Sequence, residues 1–257
     1  EGDFWRLSVF IPRTQSFAQV TPKNAYDAGL AFGNFESMLT DVDETLGETI
    51  PDFHNMELRI RQLREAVLAD VAGRLTEVRP LVDLLESHAE AMCRAEVLYR
   101  EGRLPKRICH CDTKVNNMLF DEAGGVLCVI DLDTVMPSFI FSDYGDFLRT
   151  AANATREDDP DIDHVSLRWD VVESFTKGYI EGTHHFLLPI ERELLPFAMQ
   201  LFPYMQCVRF LTDYINGDTY YKTTYPAHNL DRARNQYRLF ELTLAGQDRL
   251  QHFIDTL

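Results

Sequence analysis

Apolar residues recur at helical intervals over much of this chain. After Thr21-Pro22, four of them are spaced four, three and four positions apart: Ala28, Phe32, Phe35 and Leu39. This spacing predicts an amphipathic helix with one face in the core. The hydroxyl of Thr21 suits the N-cap and Pro22 suits the first helical position, so we expect the helix to begin there.

Similar patterns predict further helices. Their ranges are 57–75, 80–101, 170–183, 191–199 and 201–215, with another beginning at His228. Pro80 marks the expected start of the second of these helices, and Gly102 and Pro105 mark its expected end. His88 falls on the apolar stripe of that helix, where a core or boundary histidine is expected.

Strand patterns are fewer. Residues 4–11 are rich in aromatic and β-branched side chains and end at Pro12, so we expect a strand there. A hairpin is predicted farther along, with one strand beginning near Met118, a turn over 121–125 and an apolar strand over 126–130. Many helices with a few short strands indicate an α+β fold that is mainly helical.

The composition narrows the class of protein. With 257 residues, 45% of them hydrophobic, the chain can bury the core of one large domain or two small ones. A formal net charge of −16 argues against nucleic-acid binding, which needs concentrated Lys and Arg. No apolar run approaches the roughly 20 residues of a membrane-spanning helix, and the first residues lack a signal-peptide pattern. The five cysteines show no disulfide framework, so we expect reduced thiols and a cytoplasmic protein.

Three polar residues flank the predicted hairpin: Asp112, Asn117 and Asp131. Because the ends of a hairpin are neighbours, Asn117 and Asp131 are expected side by side. Phosphoryl transfer needs such a set: one carboxylate faces the attacking hydroxyl, while an amide oxygen and a second carboxylate bind Mg²⁺ on the nucleotide phosphates. Asp and Asn also form turns readily, so an ordinary surface hairpin is the alternative.

The motifs around these residues resemble a known superfamily. HCDTKVNNMLFD (110–121) and VIDLDT (129–134) are similar to the aminoglycoside phosphotransferase and choline kinase superfamily, which shares the protein-kinase fold. Together with TIPDFHN, DYGDFLR and RFLTDYINGDTYYK, they most closely resemble bacterial N-acetylhexosamine 1-kinases. The resemblance implies phosphorylation of the anomeric hydroxyl of an N-acetylhexosamine, with ATP and Mg²⁺.

The resemblance also implies roles for the residues of the hairpin motif. Asp112 would orient the sugar hydroxyl and accept its proton. Lys114 would neutralise charge on the transferred phosphoryl group, with a solvated loop lysine as the alternative. Asn117 and Asp131 would hold Mg²⁺, and Asp133 is a weaker candidate.

Other positions are implied to support this site or to bind nucleotide. His110 is expected to brace the loop by hydrogen bonding. Asp143 is expected to reach back and fix the loop backbone, with helix capping as the alternative. Phe10 and Ile11 fall where the backbone of a hinge strand would pair with adenine, and a plain strand is the alternative.

The same resemblance divides the chain into two parts. Residues 1–12 would be the last strand of the N-terminal lobe and the hinge, and residues 13–257 the C-terminal catalytic and substrate-binding lobe. Neither a G-x-G-x-x-G loop nor a lysine precedes this hinge, although a kinase carries both there. Most of the N-terminal lobe is therefore expected to be absent, and the chain alone is expected to turn over poorly.

Acceptor residues are expected in two distant segments. Asp52 and His54 lie in a loop that the resemblance places near the sugar, although Asn55 or His54 could instead cap the next helix. The second segment contributes Arg209, Asp218 and Tyr220. Its alternative is an ordinary helix ion pair between Arg209 and Asp213, worth about 0.5 kcal/mol if exposed.

Together these features favour a sugar 1-kinase whose partners are ATP, Mg²⁺ and a small sugar, with a monomer favoured. The first alternative is a kinase for choline, an amino alcohol or an aminoglycoside. Cationic acceptors require an acidic or aromatic pocket, whereas Arg209 fits a neutral sugar somewhat better. A non-catalytic kinase-like binding module is the alternative from another class of protein.

Overall fold

The computed structural model describes residues 5, 7, 9–15, 17, 20–42 and 46–257. Over these residues the fold is mainly helical, as predicted, with ten α-helices and four short strands. The helices are α1 (Pro22–Met38), α2 (Met56–Ala69), α3 (Leu75–Met92), α4 (Arg94–Arg100), α5 (Phe141–Ala151), α6 (Trp169–Thr183), α7 (Pro189–Glu193), α8 (Leu195–Ile215), α9 (His228–Ala245) and α10 (Gln247–Asp255). The strands are β1 (Arg107–Cys109), β2 (Met118–Phe120), β3 (Val126–Val129) and β4 (Met136–Ser138).

The strands form two antiparallel pairs. β2 and β3 form the predicted hairpin, with Met118 opposite Val129. Its turn is fixed by Asp121, whose Oδ1 accepts the N–H groups of Ala123 and Gly125, both at 2.8 Å. β1 pairs with β4, a pairing that the sequence pattern did not predict. β1 precedes residues 110–117 in the chain and β2 follows them, so each end of that loop is fixed by a strand pair.

The segment before α1 differs from the predicted strand. Of residues 4–11, positions 4, 6 and 8 lie outside the described residues, and no strand forms at 5, 7 or 9–11. Instead, Gln15 pairs with the edge of β2: its N–H donates to the Phe120 carbonyl at 2.9 Å, and the Phe120 N–H returns a bond at 3.2 Å. The backbone groups of a strand need the edge of a neighbouring strand as a partner. Within the described residues, the edge of β2 pairs with residue 15 and not with residues 5, 7 or 9–11.

Several predicted helix limits are wrong. α2 ends at Ala69 because Asp70 adopts a left-handed conformation, with φ of 37°. Oδ1 of Asp70 accepts the N–H groups of Arg74 and Leu75, so α3 begins before Pro80, which lies inside it. The predicted helix 80–101 is interrupted at Cys93, the predicted helix 191–199 is divided between α7 and α8, and α10 follows α9.

Helices α1 and α6 pack with their backbones in contact. Glycines line both sides of the crossing: Gly29, Gly33, Gly178 and Gly182. A Cβ atom on Gly29 would lie 2.2 Å from the carbonyl oxygen of Phe175, so only glycine permits this approach. Beyond the crossing, the Tyr179 hydroxyl donates to Oε2 of Glu36 at 2.6 Å.

Helix α8 lies in the centre of the core, where it packs against α9, α5 and α2. It is apolar around most of its circumference, as expected of a buried helix, and the prediction for residues 201–215 is confirmed. Gly217, with φ of 89°, follows its end. Among the described helices, none has both the length and the hydropathy needed to cross a membrane.

Candidate active site

Residues 110–117, which we call the Asp112 loop, connect β1 to the β2–β3 hairpin. Lys114 Nζ lies 2.8 Å from Oδ2 of Asp112. The Asn117 amide nitrogen donates to the same oxygen at 2.9 Å and to the Asp112 carbonyl at 2.8 Å. Within the described residues, Oδ1 of Asp112 accepts no hydrogen bond. One carboxylate oxygen is therefore fixed by the loop while the other remains available at a side chain that is 29% exposed.

His110 joins this loop to the end of β3. Its imidazole is fully buried, with Nε2 2.8 Å from the Ile130 carbonyl oxygen. A carbonyl only accepts, so we assign the ring proton to Nε2. Nδ1 then accepts the N–H of Asp112 at 3.3 Å. The imidazole thus connects the backbone on both sides of the hairpin.

Asp143, the third residue of α5, holds the other side of the loop. Its carboxylate is fully buried and accepts the N–H groups of His110 at 2.8 Å and Cys111 at 2.7 Å. The Thr113 hydroxyl donates to the Asp143 carbonyl at 2.6 Å. The side chain does not cap α5, whose N-cap residue is Ile140.

The backbone that Asp143 holds is strained. Cys111 has a φ of 65°, a left-handed conformation that is uncommon for residues other than Gly, Asn and Asp. Such a conformation persists only where surrounding contacts determine it, and it is frequent at functional sites. The two hydrogen bonds to Asp143 provide those contacts. Burial raises the pKa of Asp143, while the same two hydrogen bonds act to lower it.

Asn117 and Asp131 lie at the open end of the hairpin. The Ile130 N–H donates to the Asn117 carbonyl at 2.9 Å, so Asp131 follows immediately beyond this pair. Asp131 is exposed, with a φ of 63°, and leads into a short 3-10 turn that contains Asp133. Within the described residues, neither Oδ1 of Asn117 nor the Asp131 carboxylate accepts a hydrogen bond. Two such oxygens at one hairpin end fit a hard cation such as Mg²⁺.

An ion-pair cluster on α5 was not predicted as part of a site. Arg149 contacts Asp146 at 3.1 Å and Glu157 at 2.8 Å. Burial raises the pKa of Asp146, and among the nearby charges the Asp112 carboxylate raises it further while Arg149 lowers it. The charge of Arg149 also contributes to the lowered pKa of His54, so the cluster is electrostatically coupled to both the Asp112 loop and the 52–55 loop. The spacing of Asp146 and Arg149 on one helix face was the available sequence signal.

A cavity of about 580 Å³ lies between residues 50–53, α2, α8 and residues 219–221. We call it the Arg209 cavity. Two predicted residues line it, Arg209 and Tyr220. Phe53, Arg59 and Tyr221 are among the lining residues that were not predicted. The Arg209 guanidinium lies over two of their rings, 5.2 Å from the centroid of Phe53 and 5.7 Å from that of Tyr221.

Two guanidinium groups, those of Arg59 and Arg209, line this cavity together with the carboxylates of Glu65 and Asp213. Arg209 donates to Gln206 at 3.2 Å, and no carboxylate among the described residues lies within ion-pair distance of it. Arg59 donates to the carbonyls of Asp52 at 3.1 Å and Phe53 at 2.6 Å. Burial lowers the pKa of Arg59, and the charge of Arg209 lowers it further.

The helix ion pair between Arg209 and Asp213 is not formed. Asp213 instead turns its carboxylate toward residues 219–221, which we call the Tyr220 loop. It accepts, each at 2.9 Å, the N–H groups of Thr219, Tyr220 and Tyr221 and the side-chain amide of Asn229. Since these donors satisfy both oxygens, Arg209 remains available to the cavity.

Asp52 and His54 line a smaller neighbouring cavity of about 240 Å³. Asp52 is exposed and accepts the Asn55 amide at 2.8 Å. Asn55 caps α2 by accepting the Leu58 N–H at 3.0 Å, so one capping alternative is realised. His54 Nδ1 lies 2.9 Å from the Ser142 hydroxyl. Burial, and then the charges of nearby arginines, lower the pKa of His54 well below its usual value, so the ring is neutral at pH 7.

Three predicted site residues lie apart from these groups. Asp218 binds Arg74 at 2.6 Å and the Asn229 amide at 2.8 Å, and it does not line the Arg209 cavity. Phe10 is 84% exposed and Ile11 36% exposed. Neither makes a hydrogen bond or an aromatic ring contact within the described part of the chain.

Comparison with known proteins adds a family to this geometry. Residues 1–179 match the family described as "APH: Phosphotransferase enzyme family". Among solved structures, the chain is similar to the aminoglycoside phosphotransferase APH(2'')-Ib in its ADP-bound form. The sequence identity is 12%, the match covers 86% of this chain and 67% of the other, and the TM-score is 0.45.

Proposed function

This chain belongs to the phosphotransferase enzyme family, and we propose that it catalyses phosphoryl transfer from ATP to the anomeric hydroxyl of an N-acetylhexosamine. The observation that carries the proposal is the arrangement of Asp112. One of its oxygens is held by Lys114 and Asn117, while the other accepts no hydrogen bond within the described residues. A carboxylate that is oriented in this way suits a base that must meet an incoming hydroxyl.

In this mechanism Asp112 accepts the proton of the sugar hydroxyl. Lys114, at 2.8 Å from Asp112, places a positive charge beside the oxygens of the transferred phosphoryl group. Asn117 and Asp131 supply the oxygen ligands for Mg²⁺, which when bound neutralises charge on the nucleotide phosphates. Phe10 and Ile11 remain the proposed adenine contacts.

Supporting roles are proposed for two further residues. His110 holds the two sides of the hairpin together through Ile130 and Asp112. Asp143 holds the strained backbone of the loop through two N–H groups. Both side chains are fully buried, so they position Asp112 rather than touch the substrate.

The Arg209 cavity supports an uncharged, oxygen-rich acceptor. Guanidinium groups donate hydrogen bonds to hydroxyl and carbonyl oxygens, and the rings of Tyr220 and Tyr221 offer flat apolar surfaces with hydroxyls. The charge of Arg209, which forms no ion pair within the described residues, opposes a cationic acceptor such as choline or an aminoglycoside beside it. Asp52 and the neutral His54 are proposed at the neighbouring edge. Asp218 stays a weaker candidate because Arg74 and Asn229 occupy its carboxylate.

The proposal is tested by measuring ADP release with ATP and Mg²⁺ against a panel of acceptors: N-acetylglucosamine, N-acetylgalactosamine, glucose, choline and kanamycin. We expect the acetamido sugars to be turned over in preference to the other acceptors, although slowly by this chain alone. Asp112→Asn should lower kcat by about 10²–10⁴-fold, because a general base contributes that much, while ATP binding is retained. The matched control is Asp248→Asn, at an exposed position on α10, which should leave kcat unchanged.

The same panel should be run on a version extended upstream of residue 1, which tests the expected poor turnover of the chain alone. Preference for choline or kanamycin would assign the acceptor to the alternative class. An unchanged kcat in Asp112→Asn would remove Asp112 from the mechanism. ATP binding without turnover of any acceptor by the extended version would favour a non-catalytic binding module.

A further inference from the structure

A second buried carboxyl group lies beside Asp143. Glu36, on α1, is 2% exposed, and its Oε2 accepts the Tyr179 hydroxyl at 2.6 Å. Its Oε1 is also buried and has no hydrogen-bond donor within the described residues. Ligand atoms of Glu36, Asp143 and Cys109 all lie within 4.8 Å of one another.

Two carboxyl groups this close and this deeply buried do not both ionise, because each negative charge opposes the other and neither is solvated. Asp143 accepts two backbone N–H groups, which stabilise its ionised form. Glu36 receives one hydroxyl, so the shared proton resides on Glu36. Burial, and next the charge of Asp143, raise the pKa of Glu36 well above its usual value.

The remaining charged and titratable groups nearby do not change this assignment. They are Arg107, Cys109, His110 and Cys111 on and after β1, Tyr179 on α6 and Glu191 on α7. Arg107 is paired with Glu191 through contacts of 2.6 and 2.8 Å. Its charge is therefore balanced by a carboxylate other than Glu36.

The same three side chains do not fit a metal ion. Burial raises the pKa of Cys109 well above its usual value, so the sulfur carries its proton, and it lies 3.7 Å from the carbonyl oxygens of Arg107 and Ser138. Metal binding requires a thiolate. Both oxygens of Asp143 already accept backbone N–H groups. A proton on Glu36 would complete the hydrogen bonding between the two carboxyl groups, and no metal ion is needed for it.

We propose that Glu36 is a protonated positioning residue, whose carboxylic acid donates a hydrogen bond to Asp143 and so holds that carboxylate against the Asp112 loop. This connects α1 and α6, through Glu36 and Tyr179, to the backbone of His110 and Cys111. The effect on catalysis rests on the proposed function of the Asp112 loop. The protonation and the hydrogen bond do not rest on it.

The protonation is tested by infrared difference spectroscopy at pH 8. The spectrum of the unaltered chain minus that of Glu36→Gln should contain the C=O stretch of a protonated carboxylic acid, shifted in D₂O. A carboxylate signal in that difference, or no signal, would overturn the proposal. Bound metal detected by elemental analysis after dialysis, and lost in Glu36→Gln, would overturn it as well.

The positioning role is tested with two variants of Glu36. Glu36→Gln keeps a donor for Asp143 and an acceptor for Tyr179, so kcat should stay close to that of the unaltered chain. Glu36→Leu removes both, and kcat should fall about 10- to 100-fold, as for loss of a buried hydrogen bond to a charged group, with KM little changed. The matched control is Tyr144→Phe, which removes the buried 2.6 Å bond between α5 and α6 at Thr176 and should lower stability but not kcat.

Hydrogen exchange separates this proposal from the proposed function. The N–H groups of His110 and Cys111 should exchange faster in Glu36→Leu and at the original rate in Glu36→Gln, whether or not any acceptor is phosphorylated. If no acceptor is phosphorylated but the two Glu36 variants still differ in exchange as expected, only the proposed sugar kinase function is contradicted. Equal exchange in the two variants, or equal losses of kcat, would overturn the positioning role.

Discussion

Two loops of this protein are held by buried aspartates of different helices. Asp143, on α5, accepts two backbone N–H groups of the Asp112 loop. Asp213, on α8, accepts three of the Tyr220 loop. In both cases the oxygens of a side chain, rather than a neighbouring strand, accept those N–H groups.

The two anchors differ in what lies behind them. Asp143 faces another carboxyl group, Glu36, whereas Asp213 accepts the amide of Asn229. The Asp112 loop contains buried residues and the strained Cys111, while Tyr220 is 71% exposed. A buried aspartate therefore fixes the backbone geometry of the Asp112 loop, whereas in the Tyr220 loop it holds a backbone that presents exposed side chains.

Among variants that test this comparison, Asp143→Ala is expected to have the largest effect on the free energy of unfolding. It leaves two buried N–H groups without an acceptor, each worth about 1–3 kcal/mol, so unfolding free energy should fall by about 2–6 kcal/mol. Urea denaturation followed by circular dichroism measures this. The exposed Asp170→Ala is the control, and a loss below about 1 kcal/mol would show that the Asp143 bonds are dispensable.

A smaller effect is expected from Asp213→Ala. Three N–H groups lose their acceptor, yet water can reach this exposed loop and replace part of the bonding. Unfolding free energy should fall by about 1–3 kcal/mol, measured in the same way. A loss equal to that of Asp143→Ala would mean that the two loops are equally rigid, contrary to the comparison.

Arg209→Leu tests whether the Tyr220 loop and the Arg209 cavity act in acceptor recognition while the Asp112 loop acts in catalysis. If the Tyr220 side of the molecule recognises the acceptor, KM for the sugar should rise about 10- to 100-fold, as for loss of a charged hydrogen-bond donor. kcat should change little, in contrast to variants of the Asp112 loop. Steady-state kinetics measure both, with Arg209→Lys as the charge-retaining control. A loss confined to kcat would contradict a recognition role.

The smallest effect is a pH dependence carried by His54. Its folded pKa is lowered by burial, while the unfolded value is about 6.5. The unfolded chain thus binds the extra proton first, and stability falls as the pH drops below about 6.5, by up to about 1.4 kcal/mol per pH unit. In His54→Gln this component should vanish. Urea denaturation at pH 8 and pH 5 tests it, and an unaltered difference would place the titration elsewhere.

The sequence predicted the parts of the site that depend on local pattern. The β2–β3 hairpin follows from an apolar run and a glycine-rich turn, and its geometry brings Asn117 close to Asp131 through Ile130. These contacts lie within one short segment, so spacing along the chain is enough. The N-cap at Thr21 and the start of α9 at His228 were predictable for the same reason.

The remaining contacts depend on packing between distant elements. Nothing near Glu36 in the chain indicates that it lies close to Asp143, because the two residues belong to α1 and α5, which are distant in the chain. The spacing of Arg209 and Asp213 favoured an ion pair, but three backbone N–H groups of the next loop took the Asp213 carboxylate. The start of α3 at Leu75 was missed because the hydrogen bonds from the Arg74 and Leu75 N–H groups to the Asp70 side chain outweighed the proline signal at Pro80.

The glycine crossing of α1 and α6 reverses an ordinary rule of helix design. Alanine in place of a mid-helix glycine usually stabilises a helix by about 1 kcal/mol, yet at Gly29 the added methyl would meet the Phe175 carbonyl at 2.2 Å. The two helices would have to separate, and the carboxyl of Glu36 would move with its helix. Substitutions at these glycines are therefore expected to disturb the Asp112 loop through Glu36, although none of the glycines contacts that loop.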